Sequence, residues 1–184
     1  MVSRGKGRRP VHVCYVHSPM RYVWDRFDDY FGPQKVGKVL STFLFAPVAA
    51  ALRWYDRATA KRVDVFVANS TFVAKRILDF YDRQAVVVHP PVDVEYFGQF
   101  QRSPQNHYLI VSALVPYKRT EDAIVACKKR GRKLKIIGTG PELGKLRDLA
   151  QRLQADVEFI GPVTKEQLAQ AYAQAKALLF PGVE

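Results

Sequence analysis

Lys118 and Arg119 stand together in a polar turn that follows the apolar, partly β-branched run 108–111 and leads into a helix-like segment. One helix and one strand later comes Gly138-Thr139-Gly140-Pro141, a tight turn whose proline is well placed as the first residue of another helix. Two adjacent cations and a glycine turn, each ahead of a helix start with free N–H groups, suit an anion, most naturally a phosphate or diphosphate. A lone Lys-Arg pair is ordinarily a solvated charge. Its position in a strand-to-helix turn beside a glycine turn is what favours a site. His17 closes the β-rich run 11–16 ahead of Ser18-Pro19, so it emerges at the carboxyl end of a strand, a place for chemistry. From the residues alone a structural histidine is the commoner outcome, and catalysis the minority reading.

The elements that must hold these residues follow a repeated βα rhythm. Thr120 offers an N-cap side chain, Glu121 and Asp122 occupy the first turn, Lys128, Lys129 and Arg130 the last, and Gly131 follows. Cap, charges and glycine agree on one helix. The run 134–137 is the next strand, so both turns lie on one edge of a parallel sheet, outside the carboxyl ends of its strands, where open α/β sheets bind ligands. Upstream, 63–68 is a strand, Asn69 or Ser70 caps a helix over 71–81, and 85–88 is another strand. Downstream come a helix over 141–153, a strand over 157–160, a capping box at Thr164 and Gln167, and a strand over 177–180. The stretch 92–105 is polar, aromatic and irregular, as an interdomain linker would be.

Two further segments carry charge. Asp25, Asp28 and Asp29, among the aromatics of 21–31, share a helix face at these spacings and read as a solvated face rather than a metal site. Pro47 opens a helix to about Val63, on which Arg53, Arg57 and Lys61 form a basic stripe. An ordinary exposed face is the plainer reading. The functional one is contact with an anionic membrane, with Trp54 as interfacial anchor.

Composition bounds the remainder. A chain of 184 residues, 48% hydrophobic and 25% charged, makes one domain or two small ones, and a formal charge of +12 implies an anionic partner. Cys14 and Cys127 are too few for a disulfide framework or zinc cluster, so a reducing, cytoplasmic compartment is the default. The apolar stretch 43–52 is interrupted by Pro47 and falls short of the roughly 20 residues that cross a bilayer. Residues 1–10 do not form a signal peptide. A nucleic-acid-binding module is disfavoured, because the basic residues are dispersed and no stacking platform stands out. A nucleotide-binding oxidoreductase fares no better: Leu143 stands where a dinucleotide fingerprint needs its third glycine, and Gly161 where the acidic ribose ligand belongs.

Taken in order, YVHSPMRYVWD, VANSTFVAKRI, VVHPPVDVEYF, SALVPYKR, IGTGPEL, VEFIGPV and LLFPGVE resemble glycosyltransferase family 4, and within it the bacterial mannosyltransferases of O-antigen and exopolysaccharide assembly. The resemblance covers nearly all residues from about Val11 to Glu184. It implies an α/β chain of the GT-B fold with two Rossmann-like domains, both incomplete here: 1–94 on the acceptor side, a linker over 95–106, and 107–184 on the donor side. It implies retaining, metal-independent transfer of a hexosyl group, first guess mannosyl from GDP-mannose, to a glycan or lipid-linked glycan at the inner face of the membrane. No cofactor and no Asp-x-Asp metal motif are expected. By the same resemblance Lys118, and less firmly Arg119, would neutralise the donor diphosphate. Gly138, Gly140, Pro141 and Glu142 would form the neighbouring loop, and Pro162 and Val163 would lie near the base. His17 would approach the transferred sugar, and Glu184 would contact its hydroxyls. Two departures stand out. Ala113 occupies a position where many members carry arginine, and the chain reads as a fragment, expected to be inactive alone and prone to associate through exposed strand edges.

Overall fold

Short β-branched runs alternating with amphipathic segments require crossover connections, and crossovers make neighbouring strands parallel. The computed structural model, which describes residues 9–182, has this arrangement twice. The chain divides into two units, Met1–Val92 and Asp93–Glu184.

The first unit opens with β1 (Val13–Val16), followed by four short helices: α1 (Arg21–Trp24), α2 (Phe27–Phe31), α3 (Pro33–Val36) and α4 (Lys38–Leu40). A π-helical turn, Ser41–Phe45, runs directly into α5 (Ala46–Ala60). Then come β2 (Val65–Ala68), α6 (Thr71–Tyr81) and β3 (Ala85–Val87). The sheet order is β1-β2-β3, all parallel, with Cys14 opposite Phe66 and Phe66 opposite Ala85. The Ser70 hydroxyl accepts from the Val73 N–H at 3.2 Å, which starts α6 where a serine cap should. Val73 and Ile77 then project onto Phe66 and Ala68 to form this unit's core.

The second unit contains α7 (Val94–Gly98), β4 (His107–Val111), a 3-10 turn (Pro116–Lys118), α8 (Thr120–Lys129) and β5 (Lys133–Ile137). It continues through α9 (Leu143–Arg152), β6 (Val157–Gly161), α10 (Lys165–Gln174) and β7 (Ala177–Leu178). Its strand order is β6-β5-β4-β7. Successive strands therefore step outward from β4 through β5 to β6, and β7 then returns to the opposite side of β4. Adjacent residues of β4 serve opposite faces: Ile110 packs with Ile124, Leu134 and Leu146 under α8 and α9, whereas Leu109 packs with Ile137 and Ala175 under α10. Each such fully buried aliphatic side chain contributes about 1.5–3 kcal/mol. With both faces covered, a parallel sheet can be stable.

Several local expectations are corrected. The stretch 92–105 is not wholly irregular, because the Asp93 carboxylate accepts from the Tyr96 N–H at 3.2 Å and opens α7. The helix expected over 21–31 is broken into α1 and α2, and Asp25 lies at the break. There it pairs with Arg76 instead of sharing a solvated face with Asp28. The helix assigned from Pro47 begins earlier, since α4 and the π turn run into it, and it ends at Ala60. Its basic stripe is not a free face: Arg53 donates to the Val23 carbonyl, and Arg57 donates to the Phe80 carbonyl at 2.7 Å while lying over the Trp24 ring. Thr120 is not a cap. The capping position is Arg119, in left-handed conformation (φ 49°), and Thr120 is buried inside the first turn. Pro141 precedes α9 rather than starting it, because the Glu142 N–H is used across the sheet edge by the Leu114 carbonyl at 3.1 Å.

Candidate functional site

The order β6-β5-β4-β7 reverses direction at β4, where β5 lies on one side and β7 on the other. At such a reversal the loops leaving the two neighbouring strands separate, one toward each face, and open a crevice outside their carboxyl ends. Those loops are 112–119 after β4 and 179–182 after β7. Lys118 belongs to the first and is half-buried. Its ammonium lies 4.9 Å from the centre of the Phe180 ring and 5.5 Å from that of Tyr117, and a Cβ on Gly182 would come within 3.3 Å of its Cδ. Phe180 and Gly182, which the sequence reading carried only within the motif LLFPGVE and gave no role, thus flank the lysine stem. The signal that could have found them was the strand order, which is not a local property.

The loop after β5 meets the same edge. The Leu114 N–H donates to the Thr139 carbonyl at 3.0 Å, and the Gly138 N–H to the Gly161 carbonyl at 3.0 Å. Gly138 has φ 133°, and a Cβ there would collide with the Ser112 carbonyl. A Cβ on Gly140 would collide with the Leu114 carbonyl. The two glycines are therefore required because two backbones cross in contact, and this contact sets the glycine turn against the loop that carries Lys118. Two hydroxyls bracket that loop, Ser112 Oγ and Thr120 Oγ1, and both are buried without a partner among the described residues.

The other expected donor-side residues fall as follows. Arg119 forms an i,i+3 ion pair with Asp122 at 2.7 Å on the surface. Glu142 is engaged by Lys145 at 2.8 Å, and Pro141 is exposed beside it. Pro162 is exposed just after β6, and Val163 packs onto the Leu109, Ile137 and Ala175 cluster. Glu184 lies outside the described residues.

In the first unit the loops after β1, β2 and β3 also share an edge. His17 is exposed there, with its ring 5.2 Å from the Tyr15 ring in an edge-on contact. Asn69 ties it to the neighbouring loops: its Nδ2 donates to the His17 carbonyl at 3.2 Å, and its own carbonyl lies 3.1 Å from Nδ1 of His89. His89 is thus a second exposed histidine at this edge, within the segment VVHPPVDVEYF, where the sequence reading gave it no role of its own. The residues after His17 hold its loop in place. Arg76, reaching from α6, donates to the Ser18 hydroxyl at 3.2 Å and pairs with Asp25. Trp24 and Tyr81 both donate to Asp56 at 2.8 Å, and Trp24 stacks on Phe80. Burial, together with the hydrogen bond to Asp56, pushes the Tyr81 hydroxyl well above its usual range, so it stays a donor.

Two family models cover the chain end to end: "Glycosyltransferase Family 4" over residues 1–96 and "Glycosyl transferases group 1" over residues 92–183. The chain belongs to glycosyltransferase family 4. Solved structures similar to this chain include AviGT4, a glycosyltransferase involved in avilamycin A biosynthesis, at 24% identity and a TM-score of 0.51, covering 62% of this chain and 34% of that one. The lipopolysaccharide outer core galactosyltransferase WaaB in its apo form has 20% identity and a TM-score of 0.54, covering 65% and 37%. An S. aureus TarM variant in complex with UDP, fondaparinux and alpha-GlcNAc-glycerol has 17% identity and a TM-score of 0.53, covering 68% and 26%. These likenesses carry the fold, the GT-B arrangement of parallel α/β sheets. The chain spans about a third of the length of the first two structures. No curated protein matches it in sequence.

Proposed function

We propose that this chain supplies parts of both sites of a retaining glycosyltransferase, one that moves a hexosyl group from a nucleotide-diphosphate sugar to a glycan or lipid-linked glycan. The observation that carries this reading is the reversal of strand order at β4, with Lys118 in the loop that leaves β4 and the Gly138–Gly140 loop laced to the same edge. Departure of a nucleoside diphosphate concentrates negative charge on its phosphates. A half-buried ammonium and the N–H groups at the start of α8 are positioned to stabilise that charge as it forms. Lys118 is given the main role by its half-buried place in the loop that leaves β4, and Arg119, exposed and paired with Asp122, the lesser one. The first unit contributes His17, at the carboxyl edge of its own sheet, toward the transferred sugar. Glu184 is assigned to the sugar hydroxyls by family resemblance alone. GDP-mannose is the first donor to try and surface polysaccharide synthesis the expected setting, at the cytoplasmic face of the membrane.

Calorimetric titration of the 184-residue chain with GDP and UDP tests the donor site. Binding of one nucleotide, weakened about tenfold or more by Lys118→Ala, is the expected result, in line with loss of a charge-assisted contact. In a polypeptide that turns over, the same substitution lowers turnover on the order of 100-fold. Undiminished nucleotide binding by the variant, or a loss confined to acceptor affinity, overturns the assignment.

A further inference from the structure

Six of the eight residues from 128 to 135 are lysine or arginine, a run that the donor crevice does not use. It ends α8, turns, and enters β5. The turn is a Schellman motif, in which the Gly131 N–H donates to the Lys128 carbonyl at 3.1 Å and the Arg132 N–H to the Cys127 carbonyl at 2.9 Å. Gly131, at φ 58°, is the left-handed residue this turn requires. Arg130 and Arg132 thus stand on either side of one fixed glycine, and both line a cavity of about 350 Å³.

The rest of the cavity is uncharged. Tyr108 of β4, Ala126 and Cys127 of α8, and Leu179 after β7 complete its lining, which includes no carboxylate. Burial pushes the Cys127 thiol above its usual range, so it stays protonated. Neighbouring lysines are already engaged: Lys128 donates to the Gln154 carbonyl at 2.9 Å, and Glu158 holds Lys133 at 3.2 Å and Lys135 at 3.8 Å. Among the described residues no ion pair engages Arg130 or Arg132. Two guanidinium forks flanking one glycine match the oxygens of a phosphate, which lysines would meet only as point charges. The volume is that of a small-molecule site.

We propose that this cavity binds a small organic phosphate, with Arg130 and Arg132 on the phosphate oxygens and the apolar or aromatic body of the ligand against Tyr108, Ala126 and Leu179. It is not the donor crevice. Arg132 precedes β5, whose first residue pairs with the first of β4, whereas Lys118 follows the far end of β4. Five residues of strand put on the order of 16 Å between those two ends. Binding here holds or fails independently of the donor site.

Calorimetric titration of the 184-residue chain with phenyl phosphate, inorganic phosphate and phenol tests it. Phenyl phosphate should bind once per chain and about tenfold or more tighter than inorganic phosphate, with no measurable heat from phenol. Arg130→Gln and Arg132→Gln should each weaken phenyl phosphate about tenfold or more. Ala126→Leu, which grows into the cavity from an exposed position on α8, should abolish binding and leave the circular dichroism spectrum unchanged. Lys129→Gln, at the same helix end but outside the lining, should have no effect. Lys118→Ala should also leave phenyl phosphate binding intact, which separates the two sites even though Phe180, next to Leu179, flanks that lysine. Absence of phenyl phosphate binding, equal affinity for inorganic phosphate, binding undiminished by Ala126→Leu or by either arginine substitution, or loss of binding in Lys118→Ala overturns the proposal.

Discussion

At Gly138 the backbone has φ 133° and the missing Cβ leaves room for the Ser112 carbonyl, so both conformation and contact exclude a side chain. Gly138→Ala should therefore destabilise the second unit by about 1–3 kcal/mol, the usual cost of an enforced disfavoured backbone, and weaken nucleotide binding because the loop beside Lys118 must shift. Gly144 provides the control. It lies within α9 with nothing within 4 Å of a built Cβ, and Gly144→Ala should stabilise by roughly 0.4–1 kcal/mol. Urea unfolding of both variants checks the pair. Equal effects would mean that the close approach at Ser112 is not what makes Gly138 necessary.

At the scale of elements, α1 and α6 are joined through charge. Arg76 is nearly buried, burial depresses its basicity, and Asp25 is its partner across the short helices. Losing the acid leaves a guanidinium among Phe72, Phe80 and Ser18 with nothing to balance it, whereas losing the arginine leaves a carboxylate that water can reach. Asp25→Ala should thus cost about 2 kcal/mol or more, and more than Arg76→Met, by urea unfolding. The opposite ranking would show that packing of the Arg76 stem outweighs its charge. A second element-scale effect concerns β4. His107 is buried at its start with Nε2 unpartnered among the described residues, and burial followed by the nearby Lys135 and Lys133 lowers its pKa below 6.5. The unfolded chain then binds the proton more readily, so stability should fall as pH drops through about 6.5 toward the folded value. His107→Phe should flatten that part of the urea midpoint against pH. Asp64 and Asp93, both lowered from 3.8, act only in the more acidic window below it.

For the whole molecule, the two units have separate cores: Phe66 and Ile77 centre one, Ile110 and Leu134 the other. Both tryptophans, Trp24 and Trp54, belong to the first unit. Fluorescence therefore follows that unit alone, while far-ultraviolet circular dichroism follows both. Added nucleotide diphosphate should raise the thermal midpoint of part of the dichroism transition and leave the fluorescence transition in place. A single coincident transition, shifted in both signals, would show that the units unfold together.

The sequence by itself determined the βα alternation, the cap at Thr164, the choice of Asn69 or Ser70 for the other cap, the glycine after α8 and the ordered motifs of the family, because each depends on residues within a turn or two of one another. Only the tertiary structure decided that Ala177 pairs beside Tyr108, which carries Phe180 and Gly182 to Lys118. It alone decided that Asp25 answers Arg76, that Arg119 rather than Thr120 holds the capping position of α8, and that the apolar face of the long helix looks outward. The physical reason is the same in each case: hydrogen bonding between strands and the burial of charge are settled among residues far apart in the chain, where local propensity has no influence.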